Sequence, residues 1–231
     1  MLYKDGWLAY DAVVDSHSGL PQETTAHGLV RIDSGGAPVR QIADTQSKMV
    51  ALHRGTGWVH AAADLTPAYN GNSAVSKVQR ELVYLEPDTV VVFDRVTSAA
   101  GTTQTWQLAT PVAPTISGST ATIANANHQL HVQRLSPAAT PSVYNFTSNS
   151  DFGGGFRLDE TIAGGDQRYL HVLSIDGSAS SVAASGATGV TVHLANGKTA
   201  TVVFSRDAVG GTLTYDGANT TLAAGVDTMP K

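Results

Sequence analysis

The chain has 231 residues, a formal net charge of −5 and only 14% charged residues. This length allows one large domain with a substantial core, or two small domains. The acidic balance argues against nucleic acid as a partner, and contact with an acidic polymer would have to be local. Cysteine is absent, which excludes disulfides and thiolate metal sites. No apolar run approaches the roughly 18 residues of a membrane span, so no membrane partner is expected, and the opening MLYKDGWLAYD shows no signal peptide.

Short apolar or alternating runs, separated by turn residues, predict an all-β protein with few or no helices. The predicted strands, in chain order, are 7–14, 27–33, 48–53, 58–62, 78–85, 89–96, 103–109, 120–124, 129–135, 142–146, 155–161, 168–175, 190–194, 199–205 and 212–215. No repeat of fixed period is visible. We therefore expect a single domain over 1–231, built as a large antiparallel β-sandwich of stacked sheets.

Turn signals refine this expectation at three places. Asn196-Gly197 is the strongest hairpin signal, because both central residues of a two-residue turn need positive φ. The segment 174–189 is rich in Ser, Ala and Gly and is predicted to be a flexible surface connection. The tail 218–231 is predicted to be a final edge strand or a loose end.

Charged residues interrupt two strands that are otherwise apolar. These strands, 78–85 and 89–96, are joined by a turn at Glu86-Pro87-Asp88, and the second carries Asp94-Arg95 directly after VVVF. An unpaired buried charge is costly, so both residues are expected to pair with opposite charges between the sheets. We interpret Asp64 and Arg80 in the same structural way.

These segments also carry a family resemblance. HAAADLTPAY, the strand that contains Arg80, the PD turn and the strand ending in DRV resemble the C-terminal β-domain of heparinase II/III-like polysaccharide lyases. GWLAYDAVV, TTAHGLVRIDSGGAPVRQ, TQTWQLATP and RYLHVLSI resemble further segments of that domain, in the same order. The resemblance implies β-elimination on an acidic, uronate-containing polysaccharide, such as a glycosaminoglycan or alginate, by a secreted or periplasmic bacterial protein.

The same resemblance implies that part of the enzyme lies outside this sequence. Lyases of this group carry an α/α toroid that supplies the main catalytic residues, and no segment here resembles it. A metal-binding HxHxD-like segment is also absent ahead of Trp7. The isolated chain is therefore expected to be catalytically incomplete and to act with a toroid domain or subunit.

The resemblance points to the first third of the chain for chemistry. His27 matches the histidine of the family's HNT pattern, although Gly28 replaces the asparagine. The resemblance implies either a catalytic role for His27, with Tyr10 nearby, or the binding of zinc by His27 together with Asp11. Zinc takes four ligands, and only these two are named, with His17 as a candidate third. The alternative is a strand histidine that hydrogen-bonds a neighbouring loop.

Four further residues are candidates for substrate binding: Trp7, Trp58, His60 and Tyr69. For Trp58, His60 and Tyr69 the alternative is packing within the scaffold. Two other functions stay open, a non-catalytic carbohydrate-binding domain and a structural or assembly domain. The orientation of Trp7, Trp58 and Trp106 separates them, because a shared exposed face favours binding and burial favours scaffold.

Overall fold

The computed structural model describes residues 1–10, 22–146 and 155–227, and these residues form an all-β fold. Within them, helical structure is confined to the four-residue helix α1, Gln22–Thr25, and the 3₁₀ turn Thr66–Tyr69. The prediction of an antiparallel β-sandwich with few helices is confirmed. Most predicted strands lie within one to three residues of the observed bounds, since alternating burial is a strong signal in sheets.

The strands of the described residues, in chain order, are β1 (Leu2–Tyr3), β2 (Trp7–Ala9), β3 (Val30–Ser34), β4 (Ala37–Pro38), β5 (Lys48–Gly55), β6 (Trp58–Asp64), β7 (Val75–Leu85), β8 (Thr89–Ser98), β9 (Thr103–Thr110), β10 (Thr115–Ser117), β11 (Thr120–Asn125), β12 (His128–Ser136), β13 (Thr140–Asn145), β14 (Phe156–Ala163), β15 (Asp166–Ile175), β16 (Ala179–Ala184), β17 (Gly189–Leu194), β18 (Thr199–Phe204), β19 (Gly211–Tyr215), β20 (Ala218–Leu222) and β21 (Gly225–Val226).

The described strands form three stacked layers and a small hairpin. A central sheet has the order β10-β11-β12-β15-β8-β7-β6-β5-β21. The first outer sheet, β13-β14-β9-β3-β4, covers one face of it, and the second outer sheet, β16-β17-β18-β19-β20, covers the other. β1 and β2 form a separate N-terminal hairpin. Among the described strand pairs, β21 with β5 is parallel and the others are antiparallel.

Each interface between layers has its own apolar core. The first core lies between the central sheet and the first outer sheet, and the second core lies between the central sheet and the second outer sheet. Trp106 and Leu158 of the first outer sheet pack on Val92 of the central sheet. On the opposite face, the rings of Phe93 and Phe204 stack with centroids 4.9 Å apart. Because strand β8 is buried on both faces, its sequence reads as the continuous apolar run VVVF rather than as an alternation.

Two of the turn and tail predictions need correction. β17 and β18 form the expected hairpin, but positive φ occurs at Gly197 (85°) and not at Asn196, whose Oδ1 accepts a hydrogen bond from the Lys198 amide at 3.1 Å. A longer loop with one left-handed glycine therefore replaces the two-residue turn. The segment 174–189 contains strand β16, which pairs along β17, and is not simply a surface connection.

The structure describes the tail through residue 227. β20 closes one edge of the second outer sheet and β21 pairs with β5, while 228–231 lie outside the described residues. The imidazole of His53 bonds the Asp227 carboxylate at 2.9 Å and the Ala223 carbonyl at 3.1 Å. The prediction of an edge strand is confirmed for this part of the tail.

The charges of β7 and β8 pair as expected, on opposite faces of the central sheet. Asp94 pairs with Arg80 on the side of the first outer sheet, with 2.6 Å between Oδ1 and Nε. Arg95 faces the other side, where its Nη1 lies 2.7 Å from Glu81 Oε2 and both side chains are fully buried. Asp64 Oδ1 accepts from the Thr66 amide at 3.0 Å. These charged residues therefore have structural partners.

The Glu81 carboxylate supplies the negative charge that pairs with Arg95 in the second core. It accepts from Arg95, from His60 Nε2 at 2.7 Å and from the Gly210 amide at 2.9 Å. Glu81→Gln should therefore lower the free energy of unfolding by about 3 kcal/mol, because it leaves a buried guanidinium without its counter-charge. Denaturant unfolding measures the change, with Glu86→Gln on the exposed turn as the matched control. Equal stability of both variants would contradict the structural role of the pair.

Candidate functional site

A cavity of about 340 Å³ opens between the central and first outer sheets. Its walls are mainly apolar, with Leu82, Val92 and Trp106 at the core side. The N-terminal hairpin contributes Leu2, Ala9 and the following Tyr10, and the segment before β3 contributes His27 and Gly28. The two residues predicted as catalytic, Tyr10 and His27, therefore line one cavity.

Tyr10 is held by its backbone and by a small apolar cluster. Its amide donates to the Ala109 carbonyl at 3.1 Å, and its ring packs against Ala26, Ala109 and Phe146. Partial burial raises the pKa of the Tyr10 phenol, because desolvation penalises the phenolate. The phenol is therefore protonated at neutral pH and suits a proton donor better than a base.

The backbone of His27 and Gly28 is fixed by two side chains from neighbouring sheets. Gln107 Nε2, fully buried on β9, donates to the His27 carbonyl at 2.7 Å and to the Thr24 carbonyl at 2.6 Å. Arg80 Nη1 donates to the Gly28 carbonyl. Gln107 was missed by the sequence analysis; the signal for it is a polar residue inside an otherwise apolar strand.

Arg80 lines the cavity, but its charge is already balanced. Its Nε and Nη2 lie 2.6 and 3.0 Å from the two carboxylate oxygens of Asp94, and Trp106 Nε1 donates to the same carboxylate at 3.2 Å. A guanidinium held in this bidentate way is a positioning group. It does not offer a free positive charge to a uronate carboxylate.

The other predicted substrate-binding residues do not gather at this cavity. His60 is fully buried on the opposite face of the central sheet, bonded to Glu81. Trp58 packs against the second core. Tyr69 is 2% exposed in the first core, and burial raises its pKa to about 12. These positions agree with the packing alternative.

The three tryptophans do not share an exposed face. Trp106 is 2% exposed and its ring stacks on that of buried His171 at 3.9 Å. Trp7, in contrast, is 43% exposed on the N-terminal hairpin, in edge contact with the ring of Tyr3 at 5.1 Å. Trp7 is therefore the tryptophan that a soluble saccharide can reach.

The predicted zinc site includes Asp11 and the candidate third ligand His17, which lie outside the residues that the structure describes. Within the described part of the chain, no three His, Asp or Glu side chains are grouped as metal ligands. His128 and His131 have separate partners, Asp176 and Thr122. Among the described helical segments, none has the length and apolar character to cross a bilayer.

Comparison with solved structures gives matches among polysaccharide lyases. Heparan sulfate lyase HepC from Pedobacter heparinus matches with a TM-score of 0.58 at 12% identity, over 93% of this chain and 34% of that chain. A heparinase III with methylated lysines matches with a TM-score of 0.57 at 13% identity, over 94% of this chain and 33% of that chain. A second heparinase III structure matches with a TM-score of 0.53 at 13% identity, over 87% of this chain and 30% of that chain. No family model and no curated protein sequence matches.

The likeness confirms the expected resemblance at the level of the fold. This chain has the fold of a β-sandwich domain found in heparinase III-type lyases, and it spans about a third of the length of those proteins. Their catalytic activity concerns chains about three times as long.

Gln107→Leu should loosen the segment that carries His27. The substitution removes the Gln107 donor from the buried Thr24 carbonyl. It also removes one of two donors from the His27 carbonyl, which keeps the Leu29 amide at 3.0 Å. Loss of the buried hydrogen bond costs about 1–3 kcal/mol. Hydrogen exchange of residues 24–29 and denaturant unfolding measure the effect. Gln104→Leu is the matched control, because Gln104 is equally buried on β9 but donates to Ser98 and Gly165. Faster exchange of 24–29 in both variants would contradict a specific role for Gln107.

Proposed function

We propose that this chain is the β-sandwich wall of a polysaccharide lyase that acts on acidic, uronate-containing polymers. The cavity that brings Tyr10 and His27 together, in a fold shared with heparinase III-type lyases, is the observation that carries the proposal. An α/α-toroid domain or subunit completes the cleft opposite this wall. Glycosaminoglycans and alginate are the expected substrate classes, and a secreted or periplasmic location suits a protein that meets such polymers.

The chemistry of β-elimination assigns different roles to the two residues. The reaction needs a group that neutralises the uronate carboxylate, a base that removes the adjacent proton and an acid that protonates the leaving oxygen. The protonated phenol of Tyr10 fits the acid. His27 fits the base, because imidazole is the side chain that most often takes this role in general acid–base catalysis.

Among the described side chains that line the cavity, Arg80 carries the fixed positive charge, and Asp94 already holds that charge. A group from the toroid side must therefore compensate the carboxylate. Because the group that neutralises the uronate carboxylate comes from the toroid side, the isolated chain is expected to bind polymer weakly and to lack turnover.

A non-catalytic carbohydrate-binding role is the second candidate. It is favoured by the exposed rings of Trp7 and Tyr3, since aromatic rings offer both apolar area and a polar edge to a sugar. The two candidates differ in which residues carry binding. The lyase wall depends on His27 and Tyr10, and the binding domain depends on Trp7.

Saccharide binding separates these candidates. We expect heparosan, hyaluronan or alginate oligosaccharides to bind the chain, and His27→Ala to weaken binding at least about tenfold, the loss of roughly 1.4 kcal/mol. His193→Ala is the matched control, because His193 is exposed on the second outer sheet, where its imidazole bonds the Thr199 hydroxyl at 3.0 Å. Loss of binding in Trp7→Ala alone, with His27→Ala unchanged, would favour the binding domain.

Turnover tests the need for a toroid. The ultraviolet absorbance of the unsaturated uronate product should stay flat with the isolated chain. It should rise when the chain replaces the matching third of a heparinase III, and Tyr10→Phe and His27→Ala in that chimera should each lower the rate at least about 100-fold. Activity of the isolated chain would overturn the assignment of an incomplete site. Binding of none of the polymers would overturn the proposal as a whole.

A further inference from the structure

A cluster of charged side chains anchors the turn of the N-terminal hairpin. Lys4 Nζ lies 2.9 Å from Asp88 Oδ2, at the turn between β7 and β8, and 3.1 Å from Asp176 Oδ2, at the turn after β15. Asp5, the next residue of the hairpin turn, lies 3.4 Å from His128 Nε2. Two neighbouring residues of the hairpin turn are thus tied to two turns, at Asp88 and Asp176, and to the first residue of β12, His128.

His128 joins the two halves of this cluster. Its Nδ1 lies 2.7 Å from Asp176 Oδ2, and its Nε2 faces Asp5. An imidazole donates from both nitrogens only when it is protonated. The neutral ring keeps one N–H and must give up one of the two carboxylates. The geometry of His128 therefore fits the imidazolium.

The electrostatics of the cluster agree with this geometry. The hydrogen bonds to Asp176 and then Asp5 raise the pKa of His128, and Lys4 opposes them. The backbone hydrogen bond from Gln129, with help from His128 and Lys4, lowers the pKa of Asp176 to about 2. The pKa of Lys4 is raised by Asp88 and Asp176. His128 is consequently the member of this described cluster that changes charge near neutral pH.

The two strands of the hairpin are held very differently. On β2, Leu8 is fully buried and Ala9 is 2% exposed, and the Trp7 carbonyl accepts from Asn125 Nδ2 at 2.8 Å. On β1, Tyr3 is 64% exposed, and the pairing with β2 is irregular. Leu2 is the residue of β1 that packs against the core, so β1 and its turn rely on the charged cluster more than β2 does, whose Leu8 and Ala9 are both buried.

We propose that His128 is a proton-dependent clasp that holds strand β1 over the cavity of Tyr10 and His27. Leu2 of β1 lines that cavity, so release of β1 widens its mouth. The clasp gains its stability from the proton, so its contribution is complete below about pH 6.5, the ordinary value for histidine, and is lost as pH rises through the raised pKa. Lys4 keeps its own pairs above that pH, so β1 loosens and does not leave.

The charges that face His128 come from every element packed around it. They are Asp5 and Lys4 of the hairpin turn and Asp176 of the turn after β15, with Asp88 reached through Lys4. Carboxylates outnumber the ammonium group in this set. Proton binding therefore relieves an excess of negative charge when the clasp is closed.

Fluorine NMR of protein labelled with 5-fluorotryptophan tests the clasp. The Trp7 signal, assigned with Trp7→Phe, reports β1 because its ring touches Tyr3. We expect this signal and the hydrogen exchange of β1 amides, corrected for intrinsic rates, to change between about pH 6 and about pH 9, following the ionisation of His128. Each unit by which NMR finds the pKa of His128 raised should correspond to a tenfold increase in opening.

Variants make the outcome decisive. His128→Gln keeps a donor but does not titrate, so the pH dependence of the Trp7 signal and of β1 exchange should vanish. His193→Gln, on the second outer sheet, should leave both unchanged. The proposal is overturned if His128→Gln retains the pH dependence, or if His128 in the unaltered chain titrates at or below the ordinary histidine value.

The regulatory meaning of the clasp rests on the function proposed above, and a separate measurement keeps the two apart. Binding of a heparosan oligosaccharide is compared at about pH 6 and about pH 9 for the unaltered chain and His128→Gln. A difference between the two proteins at the higher pH supports control of the cavity. If β1 opens with pH but no saccharide binds at either pH, the clasp stands and the polysaccharide function fails.

Discussion

Burial of the central sheet on both faces is the constraint on which the rest of this molecule depends. A strand that is covered on both faces buries its charged residues, so each of them needs a partner of opposite charge close by. Strands β7 and β8 meet this requirement twice. Arg80 with Asp94 faces one layer, and Glu81 with Arg95 faces the other, in adjacent positions of the same two strands. Each pair therefore neutralises the buried charge on its own face of the central sheet.

The pair on the first side also shapes the candidate site. Asp94 orients Arg80, and Arg80 in turn holds the carbonyl beside His27. Gln107 holds the carbonyl of His27 itself from the opposite layer. The position of His27 is therefore set by both layers at once, as preorganised chemistry requires.

The strands could be predicted from the sequence because alternation of apolar residues records which face is buried. The stacking of three layers was harder to predict from the sequence, since the alternation of apolar residues does not show which sheet covers a face. His60 illustrates the limit: its strand position was clear, but its burial against Glu81 depends on a contact 21 residues away. The turn at Asn196 was misjudged because a longer loop needs one left-handed residue where a two-residue turn needs two. Tyr10 and His27 could be named from the resemblance, whereas Gln107 required the packing of a neighbouring sheet.

The two edges of the central sheet affect how readily the protein aggregates at high concentration. On one side the sheet stops at β10, which has three residues, and on the other at β21, which has two. The strand beneath β21 is eight residues long and begins at exposed Lys48, with exposed Arg54 near its end. Short edge strands and flanking cations are ways in which proteins prevent a sheet from growing into its neighbour. A nine-stranded sheet with a flat open border would invite fibrous association, and here both borders are blunted.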